Sequence, residues 1–204
     1  MDEPERLLGL VRAHPLAVLA VNGPAGPVIA HIPLAPETDG EGRITALVGH
    51  VARANPFWQA AEAEGVCAAV FSGPDAYVSP AFYPSKAEHG RVVPTWNYLR
   101  VEVRGRLSLE PDPAAMRPFL DGPTDAMEAE RPAPWAVTDA PEPYIAKLSA
   151  AVVGLRLAVQ SVEGVWKLSQ NKAATPDHAG VIAGLSTSPH PSDRAVAAAM
   201  AEPA

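Results

Sequence analysis

The stretch YLRVEVRGRLSLE, residues 98–110, constrains the fold more than any other part of the chain. Leu99, Val101, Val103, Leu107 and Leu109 alternate with Arg100, Glu102, Arg104, Arg106 and Ser108. A period of two over a dozen residues places every apolar side chain on one face of an extended strand, whereas a helix would scatter them around its axis. One face is apolar and the other charged, so this strand is expected to be half-buried and antiparallel to its neighbours.

The rest of the sequence is read around that strand. DEPERLLGLVRAH predicts a short amphipathic helix, with Pro4 near its first turn. PLAVLAVN and GPVIAHIPL flank the turn signal GPAG and predict a hairpin, and RITALVG follows the polar loop APETDGEG as a further strand. Asn55, Pro56 and Gly65 bracket a capped helix in NPFWQAAEAEG, after which VCAAVFSG and AYVSP return to strand. Asp112 and Pro113 open a helix that Pro118 is expected to shorten or kink, and residues 121–143 read as a surface loop. YIAKLSAAVVG predicts a helix, LRLAVQSVEG a strand and DHAGVIAGL a last short helix. Strand–helix alternation of the parallel kind is missing. The expected fold is mainly β, an antiparallel barrel with peripheral helices, occupying residues 1–185 and followed by a weakly ordered tail over 186–204.

A chain of 204 residues supports one substantial core, and 48% hydrophobic with 19% charged residues is the composition of a folded protein. Sixteen basic against twenty-three acidic residues leave a net charge of −7, which argues against non-specific attraction to nucleic acid or anionic membrane. MDEPERLLGL has no basic segment leading into an apolar one, and no apolar run reaches bilayer length, so a cytoplasmic protein without membrane contact is expected. Cys67 is the only cysteine and reads as a small buried hydrophobe.

Three stretches carry dense polar and aromatic chemistry at strand ends: GHVARANPFW, AYVSPAFYPSK with RVVPTWNY, and WKLSQNK. They supply the cations Arg53, Lys86, Arg91, Lys167 and Lys172, and the neutral hydrogen-bonding groups of Ser79, Thr95, Ser169, Gln170 and Asn171. Cations neutralise a terminal phosphate while hydroxyls and amides orient it. Trp58, Tyr77, Tyr83, Trp96 and Tyr98 add faces for a planar ring. Each element also has a plainer explanation: ARANP as a capped helix start, Trp58 and Tyr83 as core residues, KLSQN as a solvated turn, His31 and His50 as structural imidazoles. The histidines show no metal-ligand spacing, and there is no glycine-rich phosphate loop. These residues alone point to a phosphate-bearing ligand.

In their order, GHVARANPFW, FSGPDAYVSPAFYPSK, VVPTWNY, AAVVGLRL with VEGVWKLSQNK, and DHAGVIAGL resemble the FMN-binding negative transcriptional regulators of the PaiB family, over about residues 15–185. The resemblance implies a flavin split barrel, a homodimer with FMN at the subunit interface, and a role in repressing transcription. It implies phosphate and ribityl contacts from Arg53, Lys167, Ser169, Gln170 and Asn171. It places the ring near His31, Ser79, Thr95, Trp96 and Asn97, with Tyr77 and Tyr98 shaping the wall. No basic helix-turn-helix is evident, so direct DNA binding stays open. The alternative is a flavin-dependent oxidoreductase of the flavin reductase or pyridoxamine-phosphate-oxidase kind, for which His31, His50 and Tyr98 are the candidate proton carriers. A haem reading would rest on His190, without a Cys-x-x-Cys-His motif to support it.

Overall fold

The structure, a computed structural model, describes residues 4–202. In chain order its elements are α1 (Pro4–Ala13), β1 (Leu16–Val21), β2 (Val28–Pro33), β3 (Ala35–Thr38), β4 (Ile44–Ala52), α2 (Phe57–Glu64), β5 (Val66–Val78), α3 (Ser85–His89), β6 (Thr95–Glu110), α4 (Arg117–Glu128), α5 (Glu142–Ser149), β7 (Val152–Lys167), α6 (Pro176–Ser186) and α7 (Pro191–Ala201). The expected helix start at Asp2 and Glu3 lies outside the described residues. The chain divides into two compact units, a larger one of residues 2–71 and 101–163 and a smaller one of residues 72–100 and 164–204. The long strands β5, β6 and β7 contribute residues to both.

In the larger unit the strands follow the order β2-β1-β5-β6-β7-β4-β3. The hairpin read from GPAG is present, with β1 and β2 antiparallel from Leu16 opposite Pro33 to Val21 opposite Val28. β2 and β3 stand at opposite edges of the sheet, yet only Leu34 separates them in sequence. One residue spans at most about 3.6 Å, so the sheet has to curl until its two edges meet. The curl is tight at β4, where a Cβ on Gly49 would stand 2.5 Å from the carbonyl oxygen of Pro33. No ladder joins β2 to β3 among the described residues, so the barrel stays split. Its interior is filled by Leu19, Ile32, Leu47, Phe57, Val101, Val103, Leu155 and Leu157, each at most 2% exposed. β6 shows the alternation read from its sequence, with Val101, Val103 and Leu107 buried and Arg104, Arg106 and Ser108 exposed.

Two expectations need correcting at α4 and at the tail. Pro118 begins α4 instead of shortening it, because at the first helical positions the missing N–H has no intrahelical acceptor to lose. The helix runs on to Glu128, and so covers the start of the segment 121–143 read as a loop. Asp112 does cap a turn, its Oδ1 accepting from Ala114 N at 2.9 Å, but the turn is a separate 3-10 helix at Pro113–Ala115. In the smaller unit, residues 191–201 of the supposed weakly ordered tail form α7, which packs on α6 and buries Val196, Ala197 and Met200. The apolar stripe is short and alanine-rich, and its helical state depends on the α6 surface it covers. Pro203 and Ala204 lie outside the described residues.

The smaller unit joins the ends of β5, β6 and β7 to α3, α6 and α7. α6 lies against the 3-10 turn Pro80–Phe82 at a distance that only glycine allows: a Cβ on Gly180 would stand 2.2 Å from Phe82 O, and one on Gly184 2.3 Å from the Phe82 ring. This is the physical content of the motif AGVIAGL. Among the described residues, no helix in the chain is long and apolar enough to cross a membrane.

Candidate flavin site

The smaller unit contains a cavity of about 400 Å³ lined by Tyr83, Thr95, Asn97, Lys167, Asn171 and Lys172 among others. That volume is within the range of small-molecule sites, about 300–1,000 Å³. Its floor is set by the turn that follows β7. Ser169 adopts φ 58°, the left-handed region that a non-glycine residue enters at a cost, and is the one described non-glycine residue with positive φ. Two side chains hold it there. Gln170 folds back on the turn, its Oε1 accepting from Leu168 N at 2.9 Å and its Nε2 donating to Trp166 O. The Ser169 hydroxyl donates to Asn97 Oδ1 at 3.0 Å, and Asn97 Nδ2 donates to Met200 Sδ at 3.4 Å. Asn97 and Ser169 are both buried, so a missing partner would leave a polar group dry.

The turn therefore divides the sequence-read residues by role. Ser169 and Gln170 line the cavity but build it, with Ser169's single O–H and Gln170's amide engaged by the scaffold. Lys167 is exposed on the lining: its Nζ donates to Thr95 Oγ1 at 3.0 Å and stands 5.8 Å from the Tyr98 ring centroid. It meets no carboxylate among the described residues. Asn171 is exposed on the lining. Lys172 also lines the cavity, its Nζ 2.8 Å from Asp177 Oδ2 and 4.5 Å from the Tyr83 ring centroid.

Asp177, in the first turn of α6, is a buried carboxylate beside the cavity that sequence reasoning did not single out. Its Oδ1 accepts from Ser85 N at 3.1 Å, and its Oδ2 accepts from Ser85 Oγ and from Lys172, each at 2.8 Å. The Lys172 ammonium, helped by the two Ser85 donors and opposed by burial, holds the Asp177 carboxyl below the usual carboxylate range. Tyr83 is pushed up by burial, with Lys172 acting against the shift and Asp177 with it. An aspartate two residues after Thr175 reads as an ordinary acidic helix start, and nothing local says that Ser85 comes to meet it.

The other sequence-read residues are placed elsewhere. Trp96 sits between Thr95 and Asn97 on β6, and strand alternation turns it to the opposite face, where it is 53% exposed. There it packs edge-to-face on Tyr77, with centroids 5.8 Å apart. Ser79 caps the Pro80–Phe82 turn by accepting from Ala81 N at 3.2 Å. His31 and Arg53 belong to the larger unit. His31 is exposed on β2 opposite Val18. Arg53 fastens the main chain, Nε donating to Ala150 O at 2.9 Å and Nη2 to Pro111 O at 2.6 Å and Val152 O at 2.9 Å. His50 also meets main chain, with Nδ1 3.3 Å from Phe119 O.

The donor set fits a phosphorylated flavin at one end. Lys167 supplies a cation that meets no carboxylate among the described residues, Asn171 and Thr95 neutral polar groups, and the fixed turn a rigid floor. Bound FMN would supply electron chemistry, while the chain's residues bind and orient it.

Comparison with known proteins gives the same direction. Residues 1–161 match the family described as "Putative FMN-binding domain". The chain is 31% identical to an uncharacterized protein of Aspergillus fumigatus, over 86% of this chain and 84% of that one. It is 29% identical to protease synthase and sporulation protein PAI 2 of Bacillus subtilis, over 96% and 90% of the two chains. Among solved structures, the FAD and heme binding protein from Mycobacterium smegmatis superposes with a TM-score of 0.57 at 22% identity, covering 80% of this chain and 70% of that one. A flavocytochrome from Azotobacter vinelandii superposes with a TM-score of 0.52 at 20% identity, covering 84% and 73%. These last two likenesses concern the fold. On its sequence match and its split, curled antiparallel sheet, the chain belongs to the PaiB-like FMN-binding family of the flavin split-barrel fold.

Proposed function

We propose that the protein is a cytoplasmic FMN-binding homodimer that acts as a negative regulator of transcription, with the flavin phosphate seated at Lys167 in the cavity of the smaller unit. The observation that carries the binding part is the Lys167 ammonium, held by Thr95 and uncompensated by any described carboxylate on a cavity wall otherwise fixed by hydrogen bonds. The regulatory part rests on the resemblance to the PaiB regulators and on the Bacillus subtilis relative named protease synthase and sporulation protein PAI 2.

The homodimer is supported by an apolar outer face on the larger unit. Leu16, Ile29 and Val66 are 59%, 59% and 51% exposed, and β1 lies between β2 and β5 so that they share one sheet. Such a patch is the kind of surface a second copy covers. His31 lies in the same region of β2, which would bring it to the subunit junction.

Titration of the purified protein with FMN, followed by flavin fluorescence, tests the binding part. Stoichiometric quenching is expected, with affinity at least tenfold weaker in Lys167→Ala; equal affinity in the variant would remove Lys167 from the phosphate site. Sedimentation of the wild type against Ile29→Asp tests the dimer, and a wild-type monomer would end that reading. Steady-state oxidation of NADH or NADPH separates the regulator from the oxidoreductase, which turnover would favour. A salt-sensitive gel shift by the protein alone would make the DNA contact direct.

A further inference from the structure

Lys172 occupies a position that the phosphate reading of KLSQNK does not explain. It borders the cavity just described and also a second one of about 400 Å³, lined by Ser85, His89, Arg91, Thr175 and Asp177 among others. A lysine on a four-carbon stem is ordinarily mobile, but this ammonium is fixed on two sides. Asp177 Oδ2 lies 2.8 Å away, and the Tyr83 ring lies beneath it at 4.5 Å. The carboxylate is itself immobile, because Ser85 donates to it from both its backbone N–H and its hydroxyl. Asp177 is only 5% exposed, and Gly180 and Gly184 of the same helix are locked against Phe82. The contact thus ties together three segments: the turn after β7, the start of α3 and the head of α6.

We propose that Asp177 is a positioning residue that holds the Lys172 ammonium at the cavity wall, so that the site prefers a phosphorylated flavin over the uncharged flavin lacking the phosphate. The inference rests on the FMN reading above and deepens it. An ammonium has three N–H donors; one serves Asp177, and the others remain for an anionic group in the cavity. A pre-placed donor loses less side-chain entropy on binding than one that must be captured from solution. Loss of the carboxylate would keep the cation but release it, so the phosphate would have to order it.

The test compares FMN with riboflavin, titrated separately against wild type, Asp177→Asn, Lys172→Met and the double variant. The measured quantity is the ratio of the two affinities. We expect the ratio to favour FMN in the wild type, to fall about tenfold in Lys172→Met, to fall by less, about threefold to fivefold, in Asp177→Asn, where the cation remains but is released, and to fall no further in the double variant than in Lys172→Met, since without the ammonium Asp177 has nothing to position. Equal loss of both ligands in Asp177→Asn would make Asp177 merely structural and overturn the proposal, as would an unchanged ratio or additive losses. If Asp177→Asn fails to fold, Ser85→Ala carries the test, removing only the hydroxyl donor to the carboxylate. A two- to threefold fall in the ratio is then expected, and no change refutes the positioning role. A wild type with no preference for FMN would sink the phosphate reading itself, together with this inference. A wild-type preference that survives Asp177→Asn would sink this inference alone.

Discussion

The two units are filled in different ways. Inside the larger one the buried residues are apolar, with Ser149 the one polar exception among the described residues. Inside the smaller one Asn97, Ser169 and Asp177 are buried beside Val78, Leu168, Val181 and Leu185. Apolar burial is non-directional and tolerates adjustment, whereas a buried polar group needs its partner at a set distance and angle. The larger unit therefore provides bulk stability. The smaller one has a fixed polar geometry, which a binding site requires.

The sharpest way to break this comparison is to open the apolar interior. Phe57→Ala in α2, at a fully buried position, is expected to cost roughly 3–5 kcal/mol in urea unfolding. A loss of less than about 1 kcal/mol would mean that the larger unit is not the main source of stability. In the smaller unit Asn97→Ala leaves the Ser169 hydroxyl without its acceptor, so a loss of about 1–3 kcal/mol is expected together with weakened FMN binding. Phe57→Ala, at equal residual stability, should leave more of the binding intact; the reverse order would erase the distinction. Gly180→Ala forces a methyl onto Phe82 O and is expected to cost about 1–3 kcal/mol.

The smallest effects separate the units by pH. Asp177 is held below its unfolded value by Lys172 and Ser85, so its contribution is present above the unfolded pKa and lost as pH falls through the folded one. Burial raises Cys67 to about 11, so its contribution is fully present below the unfolded thiol pKa and lost above it, as pH rises through the folded value of about 11. Unfolding curves across pH should show Asp177→Asn flattening the acid limb and Cys67→Ala the alkaline limb. A Cys67 that reacts with a thiol reagent in the native protein at neutral pH would contradict its burial.

Most of the sheet was legible in the sequence because its signal is local, but β3 (Ala35–Thr38) was not, since it lies in APETDGEG, read as a polar loop, and its strand state depends on pairing with β4. Alternation over residues 99–109 and the GPAG hairpin each specify structure within a few residues, and both are present. α7 was not legible, since Val196, Ala197 and Met200 are too small a stripe to fold alone and acquire meaning only against α6. The site was half legible. Lys167, Ser169, Gln170 and Asn171 share one cavity, but sequence cannot say whether a donor faces a ligand or the chain's own backbone. Arg53 and Gln170 both face backbone, and the difference depends on contacts such as Arg53 to Ala150, far apart in sequence. Asp177 was invisible for the same reason, because its partner Ser85 lies ninety-two residues away.

The pairing of β4 with β7 also bears on how the protein is made. Ala52 lies opposite Val152, and the ladder extends to Ala46 opposite Ala158, so one side of β4 waits for a partner about a hundred residues later. At synthesis rates of about 5–20 residues per second, that side stays unmatched on the ribosome for roughly 5–20 s. During that interval the emerging chain presents Ile44, Leu47, Val48 and Val51 on an open strand edge, the surface by which nascent chains stick to one another. Its yield in a cell should therefore depend on how quickly translation reaches β7 and on holdase chaperones that shield β4 until then.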